Sequence, residues 1–401
     1  MLRRLAEQEL NQRLAFSPAV VLLGARQVGK STLGRALQTA HPAAVFLDLE
    51  NPSDRAKLTN PEAFWQANRD RLIILDEVQT MPELFSLLRP EIDAHRVAGR
   101  FLLLGSASGA LLKQSAESLA GRVSYLELPP LLWPEVMSAD ADADQKALDL
   151  RNYWTRGGMP PSFVTPAHPH SARWRRDYLH AVVSRDLPML GVRVPSETLW
   201  RFIRMLAHCN AQIINYKALG ESMGGISPLT SSRYLDLFCN TFLVRRLEPY
   251  FINIGKRLVK SPKVYWRDTG LLHALLGIHQ PHDLLSHPSA GASWEALVIN
   301  HIAATIEHLP ETLAQMFFYR TAAGAELDAL VETSTERIGF EVKLSETPKP
   351  SKGFWNACRD LQLHRAYVVA PVNSAWPLDD QTWVIPLEAV SQALMTPGYR
   401  P

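Results

Sequence analysis

Residues 19–32 read Ala19-Val20-Val21-Leu22-Leu23-Gly24-Ala25-Arg26-Gln27-Val28-Gly29-Lys30-Ser31-Thr32, an apolar run followed by GxxxxGK[ST]. A short apolar run ahead of a glycine-bearing loop and a helical stretch is a buried strand feeding a phosphate-binding loop, which predicts an α/β protein with a parallel sheet. Gly24 and Gly29 free the backbone to aim successive amides at phosphate oxygens. Lys30 supplies positive charge to the β- and γ-phosphates, Ser31 a hydroxyl to Mg²⁺, and the helix beginning near Lys30 its positive end. Gly24, Ala25, Arg26, Gln27, Val28, Gly29, Lys30, Ser31 and Thr32 are therefore the expected ATP-binding residues.

Downstream, Leu72-Ile73-Ile74-Leu75-Asp76-Glu77 sets two acids directly after a four-residue apolar run. A strand buried on both faces reads this way, and open α/β sheets place ligands at the carboxyl ends of their strands. Asp76 is the second expected Mg²⁺ ligand and Glu77 the group that orients or deprotonates the attacking water. Val45–Leu49 and Phe101–Ser106 read as further strands of the same sheet. Ser106 opens Gly-Ser-Ala-Ser, which either senses the γ-phosphate or only turns the chain.

GARQVGKST, LIILDEVQ, FLLLGSAS and Leu119-Ala120-Gly121-Arg122-Val123 together resemble a large prokaryotic group of AAA-type ATPases that carry a C-terminal domain of unknown function. The resemblance continues through Arg185-Asp186-Leu187-Pro188, Lys256–Tyr265, Asp268-Thr269-Gly270-Leu271-Leu272 and Tyr319-Arg320-Thr321 to Lys343, so it covers nearly the whole chain. It implies an ATPase that works as a ring or other homo-oligomer. It also implies an arginine that approaches the γ-phosphate, for which Arg122 is the candidate beside the catalytic group of Glu77, Lys30 and Ser106.

Composition agrees with a folded, multidomain chain: 401 residues, 46% hydrophobic and 20% charged, leave no room for long disorder. No apolar run reaches the ~18 residues of a membrane span, and no export signal is read at the start, so no membrane partner is expected. Cys209, Cys239 and Cys358 are too few and too far apart for a disulfide framework or a CxxC zinc site, which points to a reducing cytoplasm. The net charge of +2 is unevenly spread. Residues 171–270 hold sixteen Lys/Arg against seven Asp/Glu, leaving an acidic remainder. Such a basic stretch either attracts phosphate or is a solvated face.

Four segments are expected: an AAA-type P-loop core over 1–136, a helical lid or connection over 137–206, a winged-helix-like module over 207–280, and a smaller α/β restriction-endonuclease-like domain over 281–401. In the third, Ile213–Met223 and Ser227–Leu243 flank Gly224-Gly225 as a helix-turn-helix outline, with strands 242–251 and 263–266 as a wing. Lys256, Arg257, Lys260 and Lys263 are the expected contacts to nucleic-acid backbone, DNA in preference to RNA; the alternative is a module that only packs or assembles, with Arg245, Arg246 and Arg257 paired to the acidic remainder. In the fourth, Phe340, Val342 and Leu344 face one side of a strand while Glu341 and Lys343 share the other. Asp328 at the end of the preceding strand, this ExK, and Glu295 on an upstream amphipathic helix resemble the Mg²⁺ site of restriction-endonuclease-like domains. The resulting expectation is an Mg²⁺-dependent ATPase coupled to a DNA-binding and nuclease-like C-terminal half. The alternative is an ATP-gated protein-interaction or assembly switch that cuts nothing.

Overall fold

The computed structural model describes residues 2–106, 119–137, 142–251, 259–309 and 314–401. The expected contacts Lys256 and Arg257 lie outside the described residues. The chain divides into two compact units, residues 1–130 with 240–242, and residues 131–239 with 243–401. Residues 131–136, expected in the nucleotide-binding core, thus group with the second unit, which also takes in the three downstream segments apart from residues 240–242.

In the first unit, β1 (Ala19–Gly24), β2 (Val45–Asp48), β3 (Ile73–Asp76), β4 (Phe101–Ser106) and β5 (Val123–Glu127) form one sheet in the order β2-β3-β4-β1-β5. Every pairing is parallel. β1 is buried along its whole length, as an apolar run between two neighbours requires. One face packs Val21, Ile73, Leu75, Phe101 and Leu103 against Leu84, Phe85, Leu88 and Ile92 of the helix Leu84–Ala94. Each such buried side chain contributes about 1.5–3 kcal/mol. In register, Gly24 stands beside Ser106, and Asp48 beside Asp76, so the carboxyl ends of the strands share one edge.

The second unit is richer in helix over 143–208, as its sequence predicts, and carries two sheets. A three-stranded antiparallel sheet runs β6 (Gln212–Ile213), β8 (Lys263–Trp266), β7 (Val244–Leu247). The helices Ser196–His208, Tyr216–Ser222 and Pro228–Asn240 precede or interleave with it. The six-stranded sheet has the order β13 (Trp376–Pro377), β14 (Thr382–Ile385), β12 (Arg365–Val369), β11 (Arg337–Val342), β10 (Glu326–Glu332), β9 (Gln315–Arg320). The pairs β9–β10, β10–β11 and β13–β14 are antiparallel, while β11–β12 and β12–β14 are parallel. The helix Ala290–Glu307 was expected to be amphipathic. Instead it buries residues around most of its circumference, from Trp294 and Leu297 to Val298 and Ile299. It is a central core helix of this unit rather than a half-solvated one.

Two buried charged side chains of this unit are partnered through backbone. Asp268 accepts from the N–H groups of Gly158 (2.7 Å), Met159 (3.0 Å) and Leu271 (2.8 Å), so one carboxylate caps the helix Thr269–Leu276 and fixes the turn at 158–159. Arg175, fully buried, donates to the carbonyls of Thr155 (3.0 Å) and Gly270 (2.8 Å). Trp154 and Tyr178 are buried and Trp174 stacks on Tyr178, so these aromatics serve the core. All three cysteines are free and half-buried. Among the described residues no helix is long and apolar enough to cross a membrane.

Candidate functional site

The carboxyl edge of the parallel sheet gathers the first site. Gly29 has φ 107°, a left-handed conformation that glycine adopts without strain, and it starts the helix Lys30–Ala40. At Gly24 a Cβ would come within 2.6 Å of the Leu128 carbonyl oxygen, so the loop closes only over glycine. Lys30, 4% exposed, folds back and donates to the carbonyls of Gly24 (3.0 Å) and Ala25 (2.9 Å). Burial pulls its amine down to about 8, against the opposing pull of Glu77 and Asp76. Asp76 is buried, and desolvation raises its carboxyl above the usual range despite hydrogen bonds from the Ser31 hydroxyl and the Glu77 N–H. A serine hydroxyl and a carboxylate in contact are hard oxygen donors that fit Mg²⁺. Glu77 leaves β3 with φ 53°. Gln79 donates through Nε2 to the Glu77 carboxylate and to the Ser106 hydroxyl (2.9 Å), tying the ends of β3 and β4 together.

A second cluster lies in a cavity of about 600 Å³ within the other unit, lined by Lys263, Glu295, Glu326, Asp328, Glu341 and Lys343 among others. A register shift between Leu327 and Leu330 in the β9–β10 pairing falls at Asp328, and bulges of this kind re-aim side chains. Asp328 is therefore near the start of β10 and not at its end; its Oδ2 accepts from the Val342 N–H (2.9 Å). Lys343 pairs with Glu341 at 2.7 Å. Lys263 reaches Glu295 (3.2 Å), Asp328 (3.3 Å) and Glu326 (3.5 Å), while the Tyr265 hydroxyl donates to Glu295 at 2.6 Å. Burial and the neighbouring Asp328 push Glu295 and Glu341 upward. Burial works to lower Lys263, but Tyr265 and the surrounding acids hold it well above its ordinary value.

An uncharacterized protein of Mycobacterium tuberculosis (strain H37Rv) is 41% identical over 388 residues, covering 97% of this chain and 84% of its own length. One from Mycobacterium bovis matches to the same extent. The chain belongs to the family of these mycobacterial proteins. Along this family member, an AAA domain matches residues 16–137, a domain of unknown function (DUF8612) residues 147–282, and a second (DUF4143) residues 290–390. Among solved structures, a Walker-type ATPase of Pyrococcus abyssi aligns with a TM-score of 0.47 at 15% identity, covering 69% of this chain and 96% of its own. A STAND protein with a tetratricopeptide repeat sensor, from Pyrococcus horikoshii, aligns with a TM-score of 0.28 at 13% identity, covering 75% and 47%. The AAA match, the parallel sheet and the loop geometry make the first unit of this family member a P-loop ATPase domain.

Several residues of this family member stand apart from their expected places. Lys263, expected on a nucleic-acid-binding hairpin, is 3% exposed among carboxylates, because β8 is the central strand of its sheet and turns this side chain inward. Lys260 precedes β8 and is exposed. Arg122 lies before β5, at the amino end of the strands and so roughly 15–20 Å of strand away from the loop after β1. There it pairs with Asp93 at 2.6 Å, and it does not reach the phosphate site of its own chain. Arg175 and Lys263 are both buried, so the basic window presents less charge to solvent than its composition implies. Among the described residues no three His, Cys, Asp or Glu side chains form a metal-holding group; of the acids expected to hold Mg²⁺, Glu295 and Asp328 meet the Lys263 ammonium and Glu341 pairs with Lys343. Two contributors went unread in the sequence. Gln79 was one; Arg4, buried and donating to the Val28 carbonyl of the loop at 3.1 Å, was the other. The adjacency of Gln79 to the Asp-Glu pair was the available signal for the first. Arg4 gave none.

Proposed function

We propose that this protein hydrolyses ATP and that turnover rearranges a C-terminal half that contacts DNA without cutting it. The observation that carries the ATPase reading is the convergence of Lys30, Ser31, Asp76, Glu77 and Ser106 at one edge of a parallel sheet. Loop amides and the start of the helix Lys30–Ala40 bind phosphate oxygens. Lys30 exchanges the carbonyls of Gly24 and Ala25 for the β- and γ-phosphates. Ser31 and Asp76 hold Mg²⁺, which when bound supplies Lewis-acid neutralisation of the phosphate charge. Glu77 orients the attacking water and takes its proton, with Gln79 holding the carboxylate and Ser106 beside the γ-phosphate. Arg122 serves the nucleotide of another copy in a homo-oligomer.

DNA contact is supported by the order helix, β6, helix, helix, β7, β8 over 196–266, which is that of a winged helix, and by the exposed cations Arg201, Arg204, Lys217 and Arg233 on its helices. The order β9-β10-β11, helix Lys352–Leu361, β12 after the helix Ala290–Glu307 supports a restriction-endonuclease-like fold. The Lys263 ammonium among its acids favours the reading without cleavage.

The test is Mg²⁺-dependent ATP turnover by the purified chain. Glu77→Gln is expected to keep nucleotide binding and lose about 100-fold or more in turnover, while Lys30→Ala loses binding. Absence of turnover in the wild type under every condition sinks the reading.

A further inference from the structure

We infer that Lys263 is a built-in cation standing in place of a divalent metal in the C-terminal acidic cavity, and that removing its ammonium opens a divalent-cation site there. The inference rests on the non-cleaving reading of this half and not on ATP hydrolysis.

Lys263 comes from a different sheet than the acids it meets. β8 is held on both sides, Lys263 opposite Ile213 of β6 and Leu247 of β7, so its backbone is fixed. Glu295 comes from the helix Ala290–Glu307, and Glu326 and Asp328 from β10. An ammonium has three N–H donors, and Lys263 faces three carboxylates at 3.2, 3.3 and 3.5 Å. A buried carboxylate is costly without a cation, and this side chain provides one to the buried Asp328 and to the half-buried Glu295 and Glu326. The separation matters. Mg²⁺ requires oxygens at about 2.0–2.1 Å and Ca²⁺ at about 2.3–2.6 Å, so these acids cannot close on a metal while the Lys263 ammonium holds them at 3.2–3.5 Å from one nitrogen. One ligand atom is left over. Glu341, 4% exposed and lining the same cavity, has an Oε2 with no hydrogen-bond partner among the described residues. With Glu295 and Asp328 it completes a hard-oxygen set once Lys263 is gone.

The experiment measures Mn²⁺ uptake by electron paramagnetic resonance on the full chain without nucleotide, in an Asp76→Asn background that silences the first site. The parent and Lys263→Arg are expected to show no Asp328-dependent uptake. Lys263→Met is expected to bind Mn²⁺ at least about tenfold more tightly than the parent, and adding Asp328→Asn is expected to abolish the gain. A folded Lys263→Met, melting in the same transitions as the parent, that takes up no Mn²⁺ overturns this inference alone. So does an Asp328-dependent Mn²⁺ site already present in the parent, a result that needs no Lys263 variant. DNA cleavage by the wild type that Asp328→Asn removes overturns both this inference and the non-cleaving reading.

Discussion

Phosphate binding at Lys30, as proposed, is expected to be coupled to protons. Burial lowers its amine to about 8 in the free protein, and a bound phosphate favours the charged form, raising it again. Binding therefore takes up a proton above pH 8, and ATP affinity is expected to weaken as pH rises past that value, by at most about tenfold per unit. Titration calorimetry over pH 7 to 9.5 checks this; Lys30→Arg, which does not deprotonate, flattens the profile. A pH-independent wild type would refute the linkage. At this scale the sequence was most legible where chemistry demands a fixed spacing. GxxxxGK and the acids after Leu75 act within a few residues of backbone, so type and position carry the meaning. Lys263 was illegible for the opposite reason: whether that cation meets DNA or carboxylates depends on residues 32 and 65 positions away.

Two short elements decide how the sites are held. The 3-10 turn Val78–Thr80 places Gln79 between Glu77 and Ser106, a contact spanning 27 residues of sequence that no local pattern announces. Gln79→Ala is expected to lower kcat about tenfold with KM for ATP unchanged, because it unmoors a group used only in the chemical step. A rise in KM with kcat intact would instead assign Gln79 to binding. The cap at Asp268 is structural. Asp268→Ala leaves three buried N–H groups without an acceptor and is expected to cost the second unit about 3 kcal/mol, read as a lower denaturation midpoint of that unit. An unchanged midpoint would show that water replaces the carboxylate. Arg122 illustrates an element-level signal that was present in the sequence: it precedes its strand, and in a parallel sheet that alone sets it opposite the phosphate edge.

For the molecule as a whole, the parallel sheet was legible because its strands are continuous apolar runs, whereas the grouping of all later segments into one unit was not, since composition does not show which cores merge. Duplex DNA is expected to stimulate ATP turnover, and the stimulation to fall steeply between about 50 and 200 mM salt. Turnover indifferent to DNA at low salt would remove the DNA reading and leave an assembly switch.

The six-stranded sheet has one more consequence, for self-association. At one margin β13 is two residues long and includes Pro377, which has no N–H to offer an incoming strand. At the other, the backbone of β9 is already engaged: Phe318 donates to Glu248 and accepts from Tyr250, and Arg320 accepts from Val259. Both edges are thus blunted against strand addition. Association of copies of this chain through this sheet would therefore proceed by side-chain surfaces, tuned by point substitutions there, and not by templated growth of the sheet.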